Sequence, residues 1–503
     1  MSSYWIDSTK NLEKNYPSLS NDIEADVCII GAGLTGLSNA YYLSKENPNL
    51  KIVILDRNNI CRGVSGMSTA KITSQHNLFY DYLLTSYGYD FAKDYLQANE
   101  EAIKNIKEII ESENINCDFS EQDSYVYAYS EDELNDINKE INALETLNYP
   151  CEFIKELPLP LDCLGAIKFP NQAQFNPRKY ALALADILSK KGVEIYTNTI
   201  VTNTERSDND SYIVSTNESN AFVKAKHVIL ATHYPIINFP GFYFLKMYQS
   251  MSYVIAVDTK SDLPEGMYIN ASIPTYSFRS TPYLDKKLLI IAGADHKTGE
   301  KIDLKNAYEI LENKARELYP NSEVLYKWCT EDCISLDKIP YIGDFSSIMP
   351  NLYVATGFKK WGITSSNIAS KIISDKILGK ENKYEYLFKA TRLEPLKNHE
   401  ELGNMIKESV HSLIINKLKD APDTLEDIAN NEGKIIEYEG QKVGVYKNQN
   451  GECFFIKPVC AHLGCELSFN NLEKTWDCPC HGSRYDIYGN VITEPAIKNL
   501  EKT

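Results

Sequence analysis

Four side chains near the C-terminus have the types and spacing of a metal site: Cys460 and His462 in CAHLGC, Cys478 and His481 in CPCHGSRY, with 15 residues between the pairs. Two thiolates and two imidazoles could hold tetrahedral zinc. They also suit a two-iron, two-sulfur cluster, to which each of two loops gives one Cys and one His. The Cys-x-His half favours the cluster, because paired ligands in zinc fingers usually stand farther apart. The second chemical motif lies near the N-terminus. Gly31, Gly33 and Gly36 of GAGLTG come after the apolar run VCII and precede LSNAYYLS, and Asp56 ends the run KIVIL 20 residues beyond Gly36. Such glycines permit a tight turn and close backbone approach, the next helix points its N-terminus at a pyrophosphate, and the carboxylate accepts ribose hydroxyls. FAD or NAD would satisfy this pattern, and an α/β turn without a ligand is the bland alternative.

From about Thr424 to Thr503 the chain resembles the Rieske proteins, most closely those of cytochrome bc complexes, through CxHLGC and CPCHGS. The resemblance implies that Cys460 and Cys478 bind one iron while His462 and His481 bind the other. It also implies a disulfide between Cys465 and Cys480, with Ser483 and Tyr485 as hydroxyl donors to a bridging sulfide and a ligand thiolate. Hydrogen bonds to the sulfurs stabilise the reduced, more negative cluster, so both hydroxyls should raise a potential within the Rieske span of roughly -150 to +300 mV. A high-potential electron acceptor is expected. Of eight histidines, those outside the motif are scattered and suggest no separate mononuclear iron site.

The long small-residue loop after Asp56, RNNICRGVSGMSTAKITSQH, favours FAD over NAD, since a flavin ring needs such a cover. KIPYIGD from Lys338 and NLYVATGFKKWGITSS resemble the second FAD region of the D-amino-acid oxidase and glycine oxidase family. HVILATHY resembles that family's strand before an Ala-Thr-Gly turn, with His233 in place of the glycine. Over about Asp26 to Gly379 the resemblance implies Gly31, Gly33, Gly36, Asp56 and Val201 at the ADP half of FAD. Thr69, Ala70, Lys71, Gly357, Trp361, Gly362 and Thr364 are implied near the isoalloxazine. Lys71 and His76 are candidates to influence flavin chemistry, against a phosphate or loop-packing role. Arg279 in YSFRS is a candidate for an anionic substrate group, against a structural ion pair. Cys329 and Cys333 are expected to pack rather than form a redox pair.

The elements that must position these groups are set by hydrophobic periodicity. Strand, glycine turn, helix and strand open a doubly wound α/β domain at Asp26. Helical patterns run from roughly Tyr80 to Glu113 and Glu131 to Asn148, and the mixed text from about Glu152 to Asp303 suggests an interleaved α+β substrate domain. Charged helical text lies beyond Gly379, including an amphipathic stretch at Asn404 to Leu418 that could dock on a neighbouring domain. Short β segments from Gly433 indicate a small all-β module. The expected organisation is an N-terminal extension over 1–25, an FAD-dependent oxidoreductase over 26–380, a helical linker over 381–425 and a Rieske domain over 426–503.

Composition bounds the rest. With 503 residues, 43% hydrophobic and 24% charged, the chain is globular and multidomain. A formal net charge of -17 disfavours nucleic acid and anionic membranes as partners. The absence of a signal-like start or a long apolar span predicts a cytoplasmic protein without a transmembrane segment. A flavin takes two electrons and a Rieske cluster passes one, so the combination predicts oxidation of an amine or amino-acid-like small molecule, with electrons relayed singly through the cluster to an external acceptor. Two alternatives are a non-enzymatic redox sensor or electron carrier, and an NAD(P)H-linked reductase with an external donor. The second would commonly carry another GxGxxG, which is absent from the sequence.

Overall fold

The computed structural model describes residues 2–207, 210–217, 220–300, 306–392, 403 and 424–502. Apolar runs without polar alternation belong to strands covered on both faces. The two runs flanking the glycine motif are such strands: Ile23–Ile30 pairs in parallel with Ile52–Leu55 on one side and Phe222–Leu230 on the other. Val27, Ile29, Ile54 and Ile229 are wholly buried there. The sheet runs Tyr341–Asp344, Leu352–Thr356, Phe222–Leu230, Ile23–Ile30, Ile52–Leu55, Glu194–Tyr196. Helices Leu34–Glu46 and Gly362–Ile377 come directly after its two glycine turns and pack together, with Asn39 Nδ2 donating to Ser370 Oγ at 3.2 Å. Both helices therefore begin at the carboxyl ends of parallel strands, where α/β sheets bind ligands.

The second sheet has nine strands. From the edge strand Glu323–Ser335 it passes through Met247–Asp258, Lys286–Lys297, Tyr276–Tyr283, Met267–Asn270, Ser120–Ala128 and Gly165–Gln174 to Lys71–Ile72, with Glu152–Ile154 also paired to Gly165–Gln174. Its strands come from chain segments between those of the first sheet, so the α+β part is interleaved with the nucleotide-binding part. The helical pattern expected from Tyr80 to Glu113 is two helices, Tyr80–Tyr87 and Tyr89–Ser112. They are separated by Gly88, whose φ of +85° belongs to a conformation that side chains disfavour.

The C-terminal module is all β. A three-stranded sheet, Glu432–Tyr438, Gln441–Lys447 and Cys453–Ile456, stands beside a four-stranded one, Ser468–Asn470, Thr475–Asp477, Arg484–Tyr485 and Val491–Thr493. Fully buried Trp476 anchors it, edge-on to Phe469 with ring centroids 4.7 Å apart. The expected amphipathic stretch at 404–418 lies outside the described residues, as do residues 393–402 before it. Among the described residues no helix is long and apolar enough to cross a membrane.

Candidate functional site

A cavity of about 940 Å³ opens at the carboxyl ends of the parallel strands. Gly31, at φ +113°, lies so close to the neighbouring strand that a Cβ would stand 2.4 Å from Ala231 O, and a Cβ on Gly36 would meet Gly31 O at 1.8 Å. Only glycine permits this closeness. The helix Leu34–Glu46 starts at Gly33, which has no side chain to cap it; Leu34 N donates to Ser65 Oγ at 3.2 Å, and the N-terminal turn lines the cavity. Asp56 closes the turn by accepting from Ala32 N at 2.6 Å and Asn58 N at 2.7 Å. Burial raises its carboxyl to about 6 against these hydrogen bonds. Gly31, Gly33, Asp56, Val201, Thr69, Ala70, Lys71, Trp361 and Gly362 all line this cavity. The glycine cradle and the helix N-terminus on the cavity wall fit a dinucleotide pyrophosphate.

The remaining candidates lie behind that wall. Gly357, at φ +72°, turns the chain against Tyr341 and Met247. Thr364 is buried 3.4 Å from His76 Nε2. His76 stacks on Trp361 at 4.9 Å and is tied to Tyr95 Oη (2.8 Å) and Thr73 O (3.0 Å). Burial drives its pKa down to about 3, so the ring is neutral at pH 7. Arg279 presents no free cation to the cavity: it is buried, and its Nη1 donates to the carbonyls of Thr69, Ala70 and Phe175 at 2.7 to 3.1 Å. It clamps the loop that carries the cavity residues. Lys71 does reach the cavity; its Nζ donates to Tyr268 O at 2.8 Å, and burial, together with the charge of Arg279, lowers its pKa to about 7.

His233, which replaces the expected glycine, has φ +66°. The backbone keeps a glycine-like turn, held by Thr356 Oγ1 donating to His233 O at 2.5 Å, and the residue lines the cavity. Its Nε2 lies 3.4 Å from Cys333 Sγ. Cys329 and Cys333 are free thiols, and Cys329 Sγ accepts from Arg484 Nη1 at 3.5 Å.

In the C-terminal module the two motif loops bring Cys460, His462, Cys478 and His481 together. The imidazoles are 5.0 Å apart, nearly perpendicular, and both Nδ1 atoms are buried without a hydrogen-bond partner. Two buried nitrogens without partners, on loops that also carry two buried thiols, fit the donor set of an iron-sulfur cluster. His462 supplies a second sign. Its Nε2 is 2.5 Å from Asn238 Oδ1, an acceptor, so Nε2 carries the proton and Nδ1 keeps its lone pair for a metal. Cys460 Sγ is 3.3 Å from Tyr485 Oη, and the neighbouring Cys478 and Tyr485 groups hold its thiol below the ordinary value. Cys465 and Cys480 form a disulfide behind the loops. The sulfurs of Cys465, Cys478 and Cys480 also cluster within 4.8 Å, but the disulfide leaves Cys478 as the one thiol of that trio.

The two parts meet at the cluster loops. Phe244 approaches His462 and His481 edge-on at 6.4 and 5.7 Å. Gln249 Nε2 donates to His481 O at 3.1 Å and Glu494 O at 2.9 Å, and a Cβ on Gly482 would fall 2.5 Å from Gln249 Cβ. Buried Glu331 accepts from Thr298 Oγ1 (3.0 Å) and Thr493 Oγ1 (2.9 Å). Arg484 donates through Nε to Asp477 at 3.2 Å and approaches Glu331 at 3.8 Å. Burial lifts Glu331 to about 7 despite Arg484. Asn238, Phe244, Gln249 and Glu331 belong to no motif, and only tertiary folding brings them to the cluster.

A glycine-cradled cavity at a parallel-sheet edge, joined to a Cys/His cluster module, defines a flavoprotein oxidoreductase carrying an iron-sulfur domain. The chain belongs to the FAD dependent oxidoreductase family, whose model matches residues 26–376, and residues 423–503 match the Rieske [2Fe-2S] domain. That second match decides for the cluster over zinc. The chain is 36% identical over 499 residues, 99% of its length and 97% of the other's, to a Bacillus subtilis protein named as a Rieske 2Fe-2S iron-sulfur protein, YhfW. It is 23% identical to Escherichia coli gamma-glutamylputrescine oxidoreductase across 76% of this chain and 90% of that one. Glycine oxidase from Geobacillus kaustophilus shares the fold, with a TM-score of 0.62 at 20% identity, over 74% of this chain and 99% of that structure.

Proposed function

We propose that this FAD-dependent oxidoreductase dehydrogenates an amine or amino-acid-like substrate and delivers the electrons one at a time to its own Rieske cluster, for export to an external acceptor. The observation that carries this reading is the docking of the cluster loops, with both histidines turned toward the flavoprotein part under Asn238, Phe244 and Gln249. Bound FAD supplies two-electron oxidation and the cluster supplies one-electron transfer. An amine is supported by the amine and amino acid in the names of similar proteins. Lys71, with its pKa lowered to about 7, can hold or release a proton at Nζ on the cavity wall. The test is an anaerobic screen of amines and amino acids, monitored by flavin absorbance and EPR. A substrate that bleaches the flavin should also produce the reduced-cluster signal; an oxidised cluster beside fully reduced flavin would refute the relay. Absence of bleaching by every compound would favour a redox sensor.

A further inference from the structure

The cavity is not closed by the flavoprotein part alone. Its lining near Asp56, Asn58 and Val201 includes Val491, Ile492, Thr493, Glu494 and Ile497 of the Rieske domain. Arg57, next to the ribose-accepting Asp56, pairs with Glu494 at 2.7 Å, and the two side chains are only 19% and 17% exposed. Arg57 Nη2 also donates to Val491 O at 3.1 Å. Two further ties hold the same segment: Thr493 to Glu331 and Gln249 to Glu494 O. At its far end Ala496 N donates to Ser483 Oγ at 3.0 Å, which joins the segment to the second cluster loop.

We propose that residues 491–497 of the Rieske domain form a strap that walls the adenosine end of the FAD cavity, so that FAD retention and Rieske docking depend on each other. A ligand enclosed by both parts binds the docked arrangement better than an undocked one, and linkage requires docking to favour the ligand by the same factor. The strap is suited to this coupling because its ties on the flavoprotein side start beside Asp56 and its continuation on the Rieske side reaches Ser483. FAD binding should therefore be felt at the cluster loop without any direct contact between FAD and that loop.

The first test compares hydrogen exchange in the full-length holoprotein with that of the same protein stripped of FAD, the cluster being retained. Amides of 491–497 should exchange at least fivefold more slowly with FAD bound, whereas those of the strand Cys453–Ile456 should not change. Equal exchange of the strap in both forms would overturn the proposal. The second test monitors FAD release by flavin fluorescence after dilution. Glu494→Gln should release FAD at least fivefold faster while retaining the cluster spectrum. Glu452→Gln, a matched change in an exposed hairpin of the Rieske domain where Asn448 Nδ2 donates to Glu452 Oε2 at 2.6 Å, should release it at the wild-type rate. Unchanged or slower release from Glu494→Gln would refute the strap, as would equal acceleration in Glu452→Gln. If Glu494→Gln loses the cluster, the wild-type exchange comparison decides.

Discussion

Hydroxyl direction around the cluster loops can be worked out from the partners. Tyr485 Oη accepts from Ala461 N at 3.0 Å, so its own proton is free to point at Cys460 Sγ, 3.3 Å away. Ser483 Oγ likewise accepts from Ala496 N and retains its proton for donation. A donor to sulfur favours the reduced cluster, and ~1.5 kcal/mol of such preference corresponds to roughly 60 mV for a one-electron couple. Tyr485→Phe and Ser483→Ala should therefore each lower the midpoint potential by about that amount in protein-film voltammetry. Unchanged midpoints would exclude the donor role. The candidate metal ligands stand out in the sequence because two Cys and two His in two short loops keep a fixed spacing, as do three glycines before a helix. His76 and Arg279 were not separable from true cavity residues. Their residue types allow chemistry, and only the carbonyls around Arg279 and the Tyr95 hydroxyl beside His76 show them engaged elsewhere.

Element by element, the cavity depends on caps supplied from a distance. The helix Tyr80–Tyr87 begins at Phe79 without a local side-chain cap. Its first amides instead donate to the buried carboxylate of Glu140 from the helix Glu131–Thr146: Phe79 N at 2.8 Å, Tyr80 N at 2.9 Å and Asp81 N at 2.9 Å. Deleting an acceptor that serves three donors, two of them buried, should cost about 2–4 kcal/mol. Glu140→Ala is expected to lower the flavoprotein unfolding midpoint accordingly in calorimetry, and a loss below about 0.5 kcal/mol would show that water replaces the cap. Such caps explain which elements could be read in advance. The strands around the glycine motif and the helix Glu131–Thr146 declare themselves by period and apolar runs. The division of Tyr80–Ser112 at Gly88 is less visible, because a single glycine inside a helical pattern is tolerated in many helices and is decided here by packing.

For the molecule as a whole, the consequential feature is the face on which the two modules meet, and no motif encodes it. Asn238 and Phe244 lie beyond the strand Phe222–Leu230 in connecting chain and Gln249 in the strand Met247–Asp258, and only the tertiary fold brings them to the cluster. Gln249 has a particular place in this arrangement. It donates to carbonyls on the second cluster loop and on the strap, and packs against Gly482. Gln249→Ala removes the donor from two carbonyls and opens space against Gly482, while the FAD cradle around Gly31, Gly33 and Asp56 remains intact. In an anaerobic stopped-flow experiment with an active amine, flavin bleaching should keep its wild-type rate while cluster reduction slows at least tenfold. That separation is expected because electron transfer depends on how the cofactors are held, whereas substrate oxidation depends on the cavity wall. Equal slowing of both phases would make Gln249 a general structural residue, and two unchanged phases would show that electrons enter the cluster by another face.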